Sequence, residues 1–231
     1  MRPSTNLTPS DEDAMVLVRG SEAPGKWRPL IYVEFDGAAP LYLTAEDWVD
    51  CGLKAGMRIS RAKYVDLERR AQVAMALRDA LRLIEARPRF EGELRRALRR
   101  KGWEVEQVDE ALSCLRRQGL LDDERLVRDQ VDAWADQRSR LEIRAKLRSR
   151  GAPEDLVLQS LQDQVGDARE KETAVRLAEK YVRQRVRDLS TWDPRRGMAY
   201  LVRKGFSPSL AREAVREAVK RFADEAREVE G

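Results

Sequence analysis

Arg87-Pro-Arg-Phe-Glu-Gly-Glu-Leu-Arg-Arg-Ala-Leu-Arg-Arg-Lys-Gly-Trp103, followed by an amphipathic run into Gly119-Leu-Leu-Asp-Asp-Glu-Arg125, is the stretch whose spacing decides how this chain folds. Leu94 and Leu98 lie eight and four positions before Gly102, and Val108 and Leu112 lie six and ten after it. The same offsets recur around Gly151, with Ile143, Leu147, Val157 and Leu161, and around Gly205, with Leu201, Ala211 and Val215. Only the position eight before Gly205 departs, being Gly197. Apolar residues four apart share one helix face, and a glycine after a basic last turn ends a helix in the left-handed conformation. Lys101, Arg150 and Lys204 precede the three glycines, where a cation meets the negative end of the helix dipole. The spacing predicts three helix-glycine-helix units with centres 49 and 54 residues apart. That period belongs to helical arrays, in which each unit is too thin to bury its apolar face alone. A Leu-rich helical chain produces single matches by chance; here the glycine, its preceding cation and the apolar offsets recur together.

Working outward, the fold class expected is mainly α, with tandem three-helix repeats over 73–118, 119–166 and 167–222 forming an elongated curved array. Asp122 or Asp123 can cap a helix over 123–136 whose Val127, Val131 and Trp134 face a core. Gly166-Asp167 opens a longer helix carrying Ala174, Ala178 and Tyr181 inside, and Asp193-Pro194 opens the one before Gly205 with a cap and an N1 proline. A last helix from Ser207-Pro208 fades into a charged tail, 223–231. Upstream of the repeats, a connecting helix over 61–72 begins a stripe of Tyr64, Leu67 and Ala71, which continues through Leu77, Leu81 and Ile84 until Arg87-Pro88 stops it. Residues 15–60 read as a small β-containing module: strands at Met15–Val18, Leu30–Phe35 and Leu41–Leu43, a Thr44-capped helix over Ala45–Asp50, and an extended piece at Met57–Ile59. Residues 1–14, rich in proline and acid, are expected to be a disordered lead.

Composition excludes more than it selects. Charged residues make up 37% and aromatics 6%, which suits thin helical layers with large solvated faces. Cys51 and Cys114 lack metal-ligand spacing and are expected to be buried, inert thiols in a reducing compartment. No apolar run approaches the roughly 20 residues that span a bilayer, and no secretory core opens the chain, so a soluble cytoplasmic protein without membrane contact is expected. The chain has no histidine, which removes the commonest general base and metal ligand, and its carboxylates fall beside Lys or Arg at helix spacing. No enzyme, cofactor or metal is therefore expected. Gly20 to Lys26 matches a phosphate-binding loop up to its lysine, but Trp27 follows where a magnesium-binding hydroxyl is needed, and a strand follows where a helix is needed. The stretch reads better as a hairpin loop.

Net charge is +4, unevenly distributed: residues 1–60 hold 6 Lys/Arg against 9 Asp/Glu, and residues 61–231 hold 39 against 32. Within the basic helical part, Arg95 and Arg99 stand seven and three positions before Gly102, and Arg144 and Arg148 stand at the same offsets before Gly151. Each pair is four apart and so stacks on one face. Arg96 adjoins the first stripe; Arg138, Arg140 and Lys146 extend the second; Arg203 and Lys204 close the third helix. Stacked guanidinium forks suit phosphate or carboxylate recognition, and these ten residues form the candidate DNA or filament contact. The competing account of any single arginine is a solvated face whose stem covers the core. In the third unit the two offsets are Met198 and Val202, which with Phe206 form a candidate apolar protein contact.

The chain resembles the RecX family of bacterial recombination regulators, through Ala86-Arg-Pro-Arg-Phe-Glu-Gly-Glu-Leu-Arg-Arg-Ala-Leu-Arg-Arg-Lys-Gly-Trp103, Gly119-Leu-Leu-Asp-Asp-Glu-Arg125, Arg140-Leu-Glu-Ile-Arg-Ala-Lys-Leu-Arg-Ser-Arg-Gly151 and Leu201-Val-Arg-Lys-Gly-Phe-Ser207. The likeness covers about 73–220. It implies tandem three-helix repeats and binding to the RecA recombinase and its nucleoprotein filament, suppressing ATP hydrolysis, strand exchange and filament growth; a monomer that binds single- or double-stranded DNA only weakly is the accompanying expectation. Two departures stand out: Phe90 where the family usually has a serine cap, and Asp136-Gln-Arg138 where it often has glycine. The alternative is a stand-alone helical DNA-binding protein that needs no recombinase.

Overall fold

The computed structural model describes residues 15–25, 29–185 and 192–230, with side chains to residue 225. The expected lead 1–14, Lys26 and Trp27 of the glycine loop, and the side chains of 226–231 in the tail lie outside the described residues. In chain order the elements are β1 (Met15–Glu22), β2 (Ile31–Asp36), β3 (Leu41–Leu43), α1 (Ala45–Asp50), β4 (Arg58–Ile59), α2 (Arg61–Ala86), α3 (Glu91–Arg100), α4 (Val105–Arg117), α5 (Asp123–Ala135), α6 (Arg140–Arg150), α7 (Glu154–Gln164), α8 (Asp167–Arg185), α9 (Pro194–Arg203) and α10 (Pro208–Glu230). The chain is mainly α, as the spacing predicts, and its described strands are confined to the N-terminal segment. It divides into two units: residues up to Arg89 with Leu94–Leu121, and Phe90–Glu93 with Asp122 onward.

In the first unit the strands form one antiparallel sheet in the order β3-β2-β1-β4. Strand β1 runs four residues beyond the Val18 end that composition suggests, because Gly20, Ser21 and Glu22 pair with Val33, Tyr32 and Ile31. Gly20 allows this: a Cβ there would overlap the ring of Trp48. Leu17, Val33 and Leu43 point inward and are fully buried. Helix α2 serves two cores in succession. Its Tyr64, Leu67 and Ala71 cover the sheet, with Tyr64 edge-on to Phe35 at 5.2 Å, while Ala76, Leu77 and Ala80 pack on Leu94, Leu98, Val108 and Leu112. Asp79 lies buried beside this second core, accepting hydrogen bonds from Arg78, from Lys101 Nζ at 3.1 Å and from Trp103 Nε1 at 3.2 Å. Cys51 and Cys114 are free and half-buried at the margins of the two cores they pack against, more open than expected of inert thiols.

The second unit holds α5–α7 and α8–α10. Val127, Val131, Ile143, Leu147 and Val157 are fully buried in one core, and Ala174, Ala178, Leu201, Ala211 and Val215 are buried in the other. Three ion pairs join α8 to α10 at one offset of 42 residues: Lys171 to Glu213, Glu179 to Arg221 and Arg183 to Glu225. A constant offset means the two helices run parallel in fixed register. Helix α10 continues to Glu230, past the residues where the charge run suggested fading. Gly197, which breaks the apolar pattern, is explained by packing: a Cβ there would meet Val215 at 3.1 Å and Trp192 at 3.2 Å, so the absent side chain makes room for both.

The three repeat glycines end their helices alike. Gly102, Gly151 and Gly205 have φ of +94°, +89° and +89°, and in each case the following residue's N–H bonds back to the carbonyl five before it: Trp103 to Leu98, Ala152 to Leu147, Phe206 to Leu201. This left-handed closure also brings the residue after the glycine against the apolar residue five earlier.

Phe90 does not leave its helix uncapped. Asp122 caps α5 by accepting from the Arg125 N–H at 2.8 Å, which frees Asp123 to reach the start of α3 and accept from the Glu91 N–H at 3.0 Å. Phe90 itself is fully buried among the α5–α7 side chains, with the Arg150 guanidinium 5.0 Å from its ring centre. Burial pushes the Asp123 carboxyl up, against the Glu91 hydrogen bond that favours its ionised form. Asp123→Asn, which keeps the acceptor without a buried charge, is expected to change stability by less than about 0.5 kcal/mol. Asp123→Ala is expected to cost about 1–2 kcal/mol in urea unfolding followed by circular dichroism. No loss in Asp123→Ala would show that the cap is unimportant.

Candidate nucleic-acid interface

The arginines singled out by spacing stand on two short helices whose starts are well fixed. Ser139 caps α6, accepting from the Glu142 N–H at 3.1 Å, and its own hydroxyl donates to the Lys204 carbonyl at 2.6 Å. On α3, Arg95 is paired with Asp109 in the second turn of α4, and Arg99 donates to the Trp103 carbonyl with Glu104 at 3.5 Å. On α6, Arg144 is paired with Glu154 at the start of α7. The recurring arginine thus finds an acid on the helix that follows in both units, though at different offsets: Asp109 is seven after Gly102 and Glu154 three after Gly151. These pairs are open to solvent, with side-chain exposures of 39% and 51% for Arg95 and Asp109 and 43% and 38% for Arg144 and Glu154. Such pairs are worth about 0–1 kcal/mol, so a phosphate can displace the carboxylate at small cost.

The other candidates divide. Arg148 and Arg203 are exposed and have no side-chain partner among the described residues, and Arg96 is exposed on α3. Lys146 and Arg138 lie over the Trp134 ring, each 5.6 Å from its centre, and Arg138 is also paired with Glu142. Arg140 is a strut within its unit, held by Asp167 at 2.6 Å and Glu170 at 3.3 Å. The Lys204 side chain is half-exposed.

The candidate apolar contact is not brought together as one surface. Val202 is 43% exposed, but Met198 is half-buried and Phe206 is 2% exposed, packed in the core of α8–α10. Phe206 follows Gly205 and is therefore folded inward onto Leu201 by the helix closure. A second set of cations, Arg176, Lys180 and Arg185 on α8, joins the already singled-out Arg203 and Lys204 and escaped the repeat arithmetic because it has no counterpart at the same offsets. The signal that could have found it is the four-residue spacing of Arg176, Lys180 and Gln184 beside Tyr181.

Among the described residues, no helix is long and apolar enough to cross a membrane. Residues 76–115 match the family model for the first three-helix domain of RecX. The chain is 30% identical over 153 residues to regulatory protein RecX of Amycolatopsis mediterranei, covering 62% of this chain and 82% of that one. It is 34% identical over 182 residues to regulatory protein RecX of Geobacillus kaustophilus, covering 76% and 66%. A crystal structure of regulatory protein RecX superposes with a TM-score of 0.70 over 88% of this chain and 99% of that one, at 22% identity. The crystal structure of RecX from Lactobacillus salivarius does so with 0.56 over 64% and 96%, at 20% identity. With the repeat offsets, the helix closures and these sequence likenesses in agreement, the chain belongs to the RecX family of regulatory proteins.

Proposed function

We propose that this protein is a non-enzymatic regulator of homologous recombination that binds the RecA recombinase or its filament on DNA and restrains ATP hydrolysis, strand exchange and filament growth. Family membership is the observation that carries the partner. The recurrence of Arg95 and Arg144 in displaceable, solvent-open pairs supports the basic edges of α3 and α6 as the contact with DNA phosphates or acidic filament surface.

Replacing Arg95, Arg99, Arg144 and Arg148 together by alanine is expected to raise the concentration needed for half-inhibition of recombinase ATPase at least tenfold, with unchanged helical content by circular dichroism. Replacing Arg125 and Arg128, exposed cations on α5, serves as the control and leaves inhibition as it was. Unchanged inhibition in the fourfold variant would remove these edges from the mechanism. The stand-alone DNA binder is separated by titrating the protein on naked single strand and on assembled filament at two salt concentrations: the regulator binds filament far more tightly, whereas the alternative binds both alike with a steep salt slope.

A further inference from the structure

Helix α8 carries basic residues on two faces, and the face turned away from α10 is the less neutralised of the two. Toward α10, Lys171 and Arg183 meet Glu213 and Glu225. On the other face, Arg176 and Lys180 stand four apart above a concavity of about 830 Å³, joined there by Arg185 and by Arg203 and Lys204 from the end of α9. Among the described residues one carboxylate lines this groove, Asp136, and it is engaged by Arg169 at 2.9 Å, with Arg176 at 3.9 Å. Lys180, Arg185, Arg203 and Lys204 have no carboxylate partner among the described residues. Uncompensated positive charge gathered in a concavity focuses the field on an anion.

The groove also contains ring surface. Tyr181 of α8 and Tyr200 of α9 line it, half-buried, with their rings stacked at 4.5 Å and 17°, and Trp192 lies 6.0 Å from Tyr181. An acidic peptide would use the cations and leave the rings idle. A duplex offers phosphates but keeps its base faces inside the stack. Unpaired nucleic acid presents phosphates and free base faces together, and that combination matches cations flanking an aromatic pair.

We infer that the groove between α8 and the end of α9 binds a short segment of single-stranded nucleic acid, with phosphates held by Lys180, Arg185 and Arg203 and a base packed against the Tyr181 and Tyr200 rings. The site shares Arg203 and Lys204 with the regulator reading and is tested without any recombinase, so either reading can fail while the other stands. The probe is a fluorescently labelled oligothymidylate of about 15 nucleotides, titrated with the full chain by anisotropy; a segment of that length spans the roughly 4–16 nucleotides typical of single-strand sites. It is expected to bind at least tenfold more tightly than an abasic oligonucleotide or a duplex of equal length. The double variant Lys180→Glu, Arg203→Glu, both exposed positions, is expected to weaken binding at least tenfold and to flatten the dependence of log affinity on log salt by about 1.4, or roughly 0.7 for each phosphate that is no longer neutralised. Photocrosslinking of a thiothymidine-bearing strand is expected to label peptides containing Tyr181 or Tyr200. Equal binding of the abasic strand, tighter binding of the duplex, or an unchanged affinity in the double variant would each overturn the assignment.

Discussion

Replacing Asp79 by alanine is expected to lower the unfolding free energy of the first unit by about 3–5 kcal/mol, the cost of removing one partner from a buried ion pair. Asp79 and Arg78 have side-chain exposures of 11% and 10%, so the guanidinium loses its neighbouring charge in a place water reaches poorly. The indole N–H of Trp103 loses its acceptor as well, whereas Lys101, 46% exposed, can turn to solvent. Burial pushes the Asp79 carboxyl up, but hydrogen bonds from Arg78, Lys101 and Trp103, with the Lys101 charge, outweigh it and hold the carboxyl below the ordinary carboxylate range. A carboxyl depressed on folding contributes stability that is present above its unfolded value, about 3.9, and is lost as pH falls through the folded value. Urea titrations at pH 7 and pH 3 should therefore show a larger gap between wild type and Asp79→Ala at neutrality than in acid. Amide exchange of peptides from α4 reports whether the loss falls in this unit. A gap independent of pH would mean that the carboxylate charge contributes nothing.

Gly205→Ala is expected to destabilise the second unit by about 2–4 kcal/mol, against about 1–2 kcal/mol for Gly102→Ala in the first. Both glycines have left-handed φ, so both substitutions carry the same backbone strain. They differ in surroundings. A Cβ on Gly102 meets nothing within 4 Å, whereas one on Gly205 would sit 2.7 Å from Ser139 Oγ and 3.2 Å from Leu141 Cβ, at the hydroxyl that caps α6 and holds the Lys204 carbonyl. The excess is thus an overpacking cost at a joint between successive repeats. Thermal unfolding of the two variants measures it, and equal losses would mean that Ser139 and Leu141 move aside freely.

The sequence was most readable where the information is local. Helix starts at Thr44, Asp122 and Asp193, the glycine stops, and the buried apolar offsets follow from the helical period and short-range capping alone. What could not be read depends on which elements meet. Nothing in the spacing of Asp123 says that it caps α3 at a distance of 32 residues, nor that Phe90 has exchanged a capping role for a place in a core. The same holds for the basic stripes: the four-residue repeat puts Arg95 with Arg99 and Arg144 with Arg148, but whether an acid faces them is set by how the next helix crosses. Phe206 is the instructive case. Its neighbours in sequence suggested an exposed apolar contact, while the closure at Gly205 turns the residue after it inward. The groove on α8 was invisible for a related reason, since Tyr181 and Tyr200 are brought together by tertiary packing across 19 residues.

The parallel register of α8 and α10 bears on how the protein is made. Ala174, Val175 and Ala178 bury their methyl groups largely against Ala211, Ala214, Val215 and Ala218, and the balancing carboxylates for Lys171 and Arg183 lie at 213 and 225. A nascent chain that has emerged only through α9 therefore exposes an unpaired alanine-rich stripe flanked by bare cations. The earlier repeats can settle during translation, but this last one has to wait for the ribosome to deliver α10.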